Sequence, residues 1–354
     1  MSVYLHGLST ALPPYCLQQS EVEARAAIIF SDKYPQFERL SKTFKTSGID
    51  QRYSVVPIDW FSREHGWKDR NEAYMTGAKA LFIQSANDAL LGAGWAAQDV
   101  DCVVTVSSTG IATPTLEAQV FGDVGFRDDV MRVPVFGLGC AGGVSGLSIA
   151  SALARGDAAS KVLLVVIETC SLSFRADRLQ KADIIAAVLF GDGAAAACIS
   201  TEKPGGDALV ELGSGYQKLW PDTLKIMGWD VDDVGLGVVF DRSIPTFVSS
   251  EFAQATDDAL KAAGLNHGQI DRYVCHPGGA KVVEAIEGAL HLEQGSLDAE
   301  RQTLRDTGNM SAPTALFVMK SVLESDMTGQ MMACALGPGF TGSYLPFHVS
   351  KRAA

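Results

Sequence analysis

The feature that most constrains the fold of this chain is a long internal repeat. The segment Asp88-Ala-Leu-Leu-Gly-Ala-Gly-Trp95 recurs as Asp258-Ala-Leu-Lys-Ala-Ala-Gly-Leu265, and the starting positions 88 and 258 lie 170 residues apart. The same offset carries the apolar segment Val162–Glu168 onto Met332–Pro338. A repeat of this length, in a sequence that alternates helix-like and strand-like segments, indicates two similar halves packed together rather than a solenoid.

The apolar segments indicate how the two halves are layered. Near-continuous apolar strands such as Val162–Ile167 suit sheets that are covered on both faces, and a glycine-rich run from Phe190 suits close packing of layers. We therefore predict an α/β fold, a five-layer αβαβα sandwich. Its halves are expected to be residues 1–205 and 206–354, with the boundary in the polar segment Thr201–Asp207.

Composition and charge exclude several classes of protein. With 29 basic and 41 acidic residues the net charge is −12, which opposes binding to nucleic acids or anionic membranes. No apolar run approaches the ~20 residues that span a bilayer, and the first 14 residues do not resemble a secretion signal. Seven cysteines without a C-x-x-C pair argue against a disulfide framework or a zinc site. We expect a cytoplasmic protein without a metal.

One cysteine lies at a position where its thiol could act as a nucleophile. Val133–Arg155 predicts a strand that turns through glycines into a helix, and Cys140 lies on the turn. The first N–H groups of that helix and the positive end of its dipole would favour a thiolate. The alternative is a buried cysteine that packs as a small apolar side chain. Only at Cys140 do strand, glycine turn and helix start coincide, so we predict that it is the nucleophile.

Two polar residues of the second half are expected near this cysteine. The strand Arg272–Cys275 ends in His276-Pro-Gly-Gly, and a turn at Gly308-Asn309-Met-Ser precedes the helix Ala312–Leu323. Adding the repeat offset of about 170 residues to the position of the Cys140 turn leads to the Asn309 turn, so the two turns occupy equivalent places in the two halves. Each residue also has an ordinary interpretation, His276 as a hydrogen-bonded core histidine and Asn309 as a helix N-terminal residue. Together with the cysteine they predict a Cys, His, Asn site.

A basic cluster interrupts the acidic background. Arg39, Lys42, Lys45 and Arg52 fall within fourteen residues that contain one acid, Asp50. The cluster could hold the phosphates of a nucleotide-like ligand, or it could be a solvated helix face.

Five local matches give the chain a resemblance to a known family over nearly its whole length. They are Gly137-Leu-Gly-Cys140-Ala-Gly-Gly, Leu189-Phe190-Gly-Asp-Gly-Ala, His276-Pro-Gly-Gly, Gly308-Asn309-Met-Ser and Gly337-Pro-Gly. The chain resembles the type III polyketide synthases, the chalcone synthase-like enzymes of the thiolase-type fold.

The resemblance implies substrates and site residues. It implies catalytic Cys140, His276 and Asn309, and a homodimer that uses acyl-CoA and malonyl-CoA without a cofactor. The gatekeepers would be Phe190 and Phe240, the coenzyme A phosphates would contact Arg39 and Lys42, and a third basic position falls on Thr46, with Lys45 adjacent. The cavity wall and its neighbouring loop would be formed by Ser108, Ala112, Thr113, Cys170, Ser173, Val231, Ser311, Gly337, Pro338 and Gly339.

The small residues of this wall suggest a class of substrate. Ala112, Thr113, Cys170 and Ser173 would leave an apolar tunnel open, and a fatty acyl chain fills such a tunnel. We expect a medium or long fatty acyl-CoA to be extended by two or three malonyl units and released as an alkylpyrone or alkylresorcinol.

Three other functions remain open at this point. A ketoacyl synthase III-like enzyme, which performs a single condensation, uses the same three residues but normally shows His-Gln-Ala-Asn where this chain has His276-Pro-Gly-Gly. A cysteine hydrolase also uses Cys, His and Asn, with about 130 to 150 residues between Cys and His. Positions 140 and 276 are 136 residues apart, which fits that spacing, but a cysteine hydrolase would not explain the internal repeat. A non-catalytic scaffold would not need Cys140.

Overall fold

Strands and helices alternate along most of the chain. The computed structural model describes residues 1–157, 160–178, 180–205 and 208–351. The strands are β1 Val3–Ala11, β2 Tyr15–Gln18, β3 Gln51–Ser54, β4 Cys102–Val106, β5 Met131–Val135, β6 Val162–Thr169, β7 Asp192–Ser200, β8 Ala208–Leu212, β9 Tyr216–Leu219, β10 Met227–Val231, β11 Leu236–Phe240, β12 Arg272–Cys275, β13 Gly329–Gly337 and β14 Thr341–Lys351. The helices are α1 Gln19–Phe30, α2 Phe37–Thr46, α3 Trp67–Ala93, α4 Leu116–Gln119, α5 Phe121–Val124, α6 Gly142–Gly156, α7 Lys181–Leu189, α8 Ile244–Ala262, α9 Ala280–Ala289, α10 Asp298–Thr307 and α11 Thr314–Glu324.

The main sheet contains the internal repeat as two matching groups of strands. Its order is β12-β13-β14-β8-β1-β7-β6-β4-β5, with β9 paired to β14. In the first group β4 is parallel to β6 and β6 is antiparallel to β7. In the second group β12 is parallel to β13 and β13 is antiparallel to β14. Because β8 pairs with both β1 and β14, it joins the two groups edge to edge.

Alternating side chains on the strands cover both faces of the sheet. On β6, Leu164 belongs to a core cluster around α6 and α11, whereas its neighbours Leu163 and Val165 belong to a cluster beneath α3. A third cluster lies beneath α8 and α9, where Val248 and Val283 meet strand residues of the second half. Helices α6 and α11 therefore form the central layer and α3, α8 and α9 the outer layers. The predicted αβαβα fold is confirmed.

The boundary between the halves stays a prediction. The predicted boundary segment 201–207 follows β7 and precedes β8. Its residues 206 and 207 lie outside the described residues, as do residues 352–354 of the predicted second half. No helix in the described part of the chain is long and apolar enough to cross a bilayer.

Candidate active site

The Cys140 turn lies where the two halves of the molecule touch. Strand β5 ends at Val135, a single 3₁₀ turn spans Gly139–Ala141, and α6 begins at Gly142. A Cβ added to Gly337 would come within 2.5 Å of the Leu138 carbonyl oxygen. One added to Gly143 would come within 2.2 Å of the Ala312 carbonyl oxygen. Because these two glycines have no side chain, loops of the second half can pack directly against the turn that carries the cysteine.

His276 and Asn309 are held by backbone contacts of the second half. His276 follows β12, and its backbone N–H donates to the Cys334 carbonyl at 2.8 Å. Neither nitrogen of its buried ring has a hydrogen-bond partner among the described residues. The Asn309 Nδ2 donates to the Gly278 carbonyl at 3.1 Å, and its Oδ1 accepts the Ser311 N–H at 2.8 Å. The amide is thus fixed in orientation with one N–H of Nδ2 still available.

The three side chains line one cavity, which we call the catalytic pocket. One part of the pocket is lined by Cys140, His276, Asn309, Met227, Phe240 and Leu336. The other part shares Cys140, Met227 and Phe240 with the first, and its further lining residues include Ser108, Thr109, Glu168, Cys170, Phe190, Trp229, Ser311 and Pro338. The structure therefore brings together all three predicted catalytic residues and both predicted gatekeepers.

Burial controls the protonation of the two reactive groups. It raises the pKa of the Cys140 thiol to about 11, although a hydrogen bond from the Ser311 hydroxyl acts in the opposite direction. Burial also lowers the pKa of His276 to about 4. Both shifts favour a neutral thiol beside a neutral imidazole. The sequence-based expectation of a thiolate stabilised by the helix is therefore outweighed by desolvation, and the thiol needs a proton acceptor.

Glu168 is a buried acid of the pocket that the sequence analysis missed. It lies near the end of β6 and accepts the Ser108 N–H at 2.9 Å and the Thr109 hydroxyl at 2.8 Å. Burial raises its pKa to about 7, and its charge raises the pKa of Cys140. A single acid after an otherwise apolar strand was the available signal. Met227 and Trp229 were also missed, because β10 has no distinctive pattern.

A cleft of about 450 Å³, which we call the outer cleft, leads to the catalytic pocket. Phe240 lines both cavities. Helix α2 forms one wall through Leu40, Thr43 and Thr46. Lys45 is exposed on α2 but is not among the residues that line the cleft, and its contact with coenzyme A phosphates stays a prediction. Arg39 and Lys42 are exposed beside the same face of α2.

Arg52, the fourth member of the basic cluster, is not available to a ligand. Its side chain is buried and donates to the carbonyl oxygens of Ala187 at 2.6 Å, Val188 at 2.5 Å and Phe190 at 3.1 Å. These carbonyls belong to the last turn of α7 and to its C-cap, where no helical partner exists. Arg52 therefore caps α7 and holds the backbone of Phe190.

A second cavity adjoins the catalytic pocket. This apolar channel shares Cys170 and Phe190 with the pocket and includes Ser173. It runs between α1, α7 and a 3₁₀ turn at Ile58–Ser62. Its apolar lining consists of Leu17, Val22, Ala26, Ile29, Ile58, Phe61, Phe174, Ala186 and Ala187.

Four predicted wall residues lie elsewhere. Met227 and Trp229 share one face of β10 and line the pocket, and Val231 continues that face beyond the cavity, where it is 66% exposed. Thr113 is exposed in the loop before α4, and Ala112 packs against the cluster beneath α3. Val231, Thr113 and Ala112 do not line the catalytic pocket of the single chain, and their place in the cavity wall stays a prediction. Gly339 is not among the residues that line the pocket, and its carbonyl accepts a hydrogen bond from the Thr223 hydroxyl.

Comparison with solved structures identifies the class of fold. The structure of 1,3,6,8-tetrahydroxynaphthalene synthase from Streptomyces coelicolor A3(2) superposes with a TM-score of 0.92 at 24% identity, covering 99% of this chain and 100% of that one. The C-terminal type III polyketide synthase domain of Steely1 from Dictyostelium also gives 0.92, at 25% identity, covering 98% and 99%. The fold is that of the type III polyketide synthases.

Sequence comparison gives the family. The models of the N-terminal and C-terminal domains of chalcone and stilbene synthases match residues 2–203 and 211–346. The putative chalcone synthase of Bacillus subtilis is 31% identical over 99% of this chain and 100% of its own. The 1,3,6,8-tetrahydroxynaphthalene synthase of Streptomyces peucetius is 34% identical over 95% and 90%. This chain belongs to the chalcone and stilbene synthase family and is a type III polyketide synthase, an acyltransferase.

Proposed function

We propose that the enzyme loads a fatty acyl group from acyl-CoA onto Cys140 and extends it with two or three units from malonyl-CoA. The product is an alkylpyrone or alkylresorcinol, made in the cytoplasm without a bound cofactor. The observation that carries the proposal is the apolar channel, which opens from the catalytic pocket at Cys170 and Phe190. Each CH₂ group buried there contributes about 0.8 kcal/mol. A Mycobacterium tuberculosis relative named alpha-pyrone synthesis polyketide synthase-like Pks18, 28% identical over 98% of this chain and 91% of its own, supports the product class.

In the loading step His276 accepts the thiol proton of Cys140. Its unpaired ring nitrogens make it the proton acceptor of the pocket, and an imidazolium then stabilises the thiolate. The thiolate attacks the carbonyl carbon of the acyl-CoA. As the thioester to Cys140 forms, the bond to coenzyme A breaks and the coenzyme leaves as a thiol with that proton.

In the extension step His276 and Asn309 stabilise an enolate. Malonyl-CoA loses carbon dioxide, and the electron pair left behind is shared with the thioester oxygen. An N–H of His276 and the free N–H of the Asn309 amide donate to this oxygen, each contribution being on the order of 3 kcal/mol. The carbanion attacks the thioester at Cys140 and releases its sulfur, so the lengthened chain now belongs to coenzyme A and can be loaded again.

The remaining residues control access. Phe240, between the outer cleft and the catalytic pocket, and Phe190, between the pocket and the apolar channel, act as gatekeepers that exclude water and orient the malonyl unit. Arg39 and Lys42, at the edge of α2, contact the phosphates of coenzyme A.

The experiment is incubation of the enzyme with a panel of acyl-CoAs and labelled malonyl-CoA, with the products read by mass. Fatty starters of medium or long chain are expected to give pyrones or resorcinols. Turnover of malonyl-CoA alone, or of aromatic starters alone, would contradict the fatty acyl proposal.

Variants of the nucleophile test the chemistry. Cys140→Ser is expected to lower the rate of condensation by roughly a thousandfold or more, because a serine hydroxyl is a much weaker nucleophile toward the acyl-CoA than a thiolate. Cys140→Gln should also prevent condensation yet keep release of carbon dioxide from malonyl-CoA, since His276 and Asn309 remain. Full condensing activity in Cys140→Ser would remove Cys140 from the mechanism.

A further inference from the structure

Three cations outside α2 line the outer cleft. Lys181 is the first residue of α7, Arg242 comes two residues before α8, and Lys281 is the second residue of α9. All three are exposed and belong to the lining of the cleft, although they come from distant parts of the sequence. The fold, rather than a sequence motif, brings them together.

The protein compensates the charge of these cations only in part, through the attraction between Arg242 and its neighbour Asp241. Within residues 1–157, 160–178, 180–205 and 208–351, none of the three has a carboxylate within the 4.0 Å that defines an ion pair. The carboxylate that lines the same cleft, Asp241, accepts the Ser243 N–H at 2.7 Å. In a chain with a net charge of −12, three unpaired cations around one cleft form a strong local attraction for an anion.

The backbone adds to this attraction. Helices α7, α8 and α9 have 9, 19 and 10 residues, and all three begin at the cleft without a side-chain cap. The first turns of α8 and α9 contain no acid. The first N–H groups of a helix have no partner within it, and the helix dipole favours negative charge there.

We propose that Lys181, Arg242 and Lys281, which line the outer cleft together with α2, bind the phosphate groups of coenzyme A and determine the preference of this enzyme for coenzyme A thioesters. The proposal rests on the proposed function, in which the thioester reaches Cys140 from the outer cleft past Phe240. Coenzyme A carries a diphosphate and a 3′-phosphate at the end remote from its sulfur. Helix α2 lines the cleft with Leu40, Thr43 and Thr46, none of which is charged, so the three cations that do line the cleft complete the site.

The test compares ligands with and without phosphates. Lys181→Ala, Arg242→Ala and Lys281→Ala are made singly and together, with Lys68→Ala on α3, whose side chain is 85% exposed, as the matched control. Binding of coenzyme A, 3′-dephospho-coenzyme A and pantetheine is measured by calorimetry at low salt. KM is measured for malonyl-CoA and for the malonyl thioester of N-acetylcysteamine, which has no phosphate.

Each single change is expected to weaken coenzyme A binding on the order of 5-fold, and the triple change on the order of 50-fold or more. The loss should shrink at high salt. KM for malonyl-CoA should rise at least tenfold more than KM for the N-acetylcysteamine thioester. The variant that loses its sensitivity to the 3′-phosphate identifies the residue that contacts it.

Two results would overturn the proposal. One is a triple variant that binds coenzyme A as tightly as the parent and Lys68→Ala at low salt. The other is an equal rise in KM for both thioesters, which would mean that the cations only support the structure. An enzyme that binds coenzyme A but condenses neither thioester would instead contradict the proposed function and leave the binding result intact.

Discussion

Deprotonation of Cys140 requires a neighbouring proton acceptor. Burial alone keeps the thiol protonated at neutral pH, because it raises the pKa to about 11. His276 can accept the proton, but its own pKa is lowered to about 4 by the same burial. The two groups therefore exchange a proton as a pair, and an imidazolium beside the sulfur repays part of the desolvation of both charges. Neither group would make this site alone.

This pairing predicts the pH dependence of alkylation. At pH 7 a thiol with a raised pKa is mostly protonated, and its thiolate fraction rises about tenfold per pH unit until the pKa is reached. In His276→Gln the proton acceptor is lost, so alkylation of Cys140 by iodoacetamide at pH 7 should slow by about tenfold or more. Its rate should still be rising above pH 9. The parent should approach its plateau at a lower pH.

The measurement follows alkylation of the Cys140 peptide by mass spectrometry in a Cys16→Ser background. This background is needed because Cys16 is exposed whereas the other cysteines are buried. Identical pH profiles for the parent and His276→Gln would show that the imidazole does not influence the sulfur.

Helix α7, together with its C-cap residue, touches the outer cleft, the apolar channel and the catalytic pocket. Its first residue, Lys181, lines the outer cleft, and Ala186 lines the apolar channel. Its C-cap residue, Phe190, lines both the channel and the catalytic pocket. The buried guanidinium of Arg52 fixes that end of the helix. The helix thus sets the distance between the coenzyme end and the acyl end of the site.

A substitution on α7 should shorten the acyl chain that the enzyme accepts. Ala186 is 5% exposed and its side chain borders the apolar channel, so Ala186→Phe would fill the space proposed for the end of the starter. We expect the preferred starter to lose several carbons, with kcat/KM for the longest starters falling about tenfold or more, since each excluded CH₂ forfeits about 0.8 kcal/mol. The acyl-CoA panel measures this profile.

Val231→Phe is the matched control for that change. It adds the same aromatic ring at a position that is 66% exposed and outside the pocket, so the profile of starters should stay that of the parent. A thermal melt should show that Ala186→Phe remains folded. If Ala186→Phe keeps the parent's profile, or if Val231→Phe shortens it, the channel is not the acyl site.

At the scale of elements, the positions of the catalytic residues were easier to predict from the sequence than the residues that line the cavities. The end of β12 at Cys275 places His276 where the Pro277 turn predicted it, because proline and glycine restrict the backbone locally. Whether a side chain such as Val231 lines a cavity depends on where the cavity ends, and that is decided by packing between distant segments. The same holds for Lys181, Arg242 and Lys281, which no local pattern connects.

For the whole molecule, the internal repeat was sufficient to predict the architecture. Equal spacing in two segments implied equal elements, and β4 and β12 do begin the matching parallel pairs of the two groups. The repeat could not predict that β8 joins both groups into one sheet, because β8 pairs on both edges only when the halves are packed. It also could not predict which apolar side chains stay exposed on the surface of the folded chain.

That surface leads to the last prediction, a homodimer. Strand β5 is an edge strand of the sheet, and apolar side chains are exposed on it and just after it, with Met131 at 51% and Phe136 at 63%. An exposed apolar edge is normally covered, and closed two-fold symmetry is the common way to do so.

Light scattering at micromolar concentration should give twice the 37.6 kDa of one chain. Phe136→Asp, which would bury a charge in an interface of about 800 Å² per partner, should give a monomer. Leu91→Asp, at a position on α3 that is 80% exposed, should leave the mass unchanged. A monomeric parent would contradict the dimer, and a dimeric Phe136→Asp would place its interface away from β5.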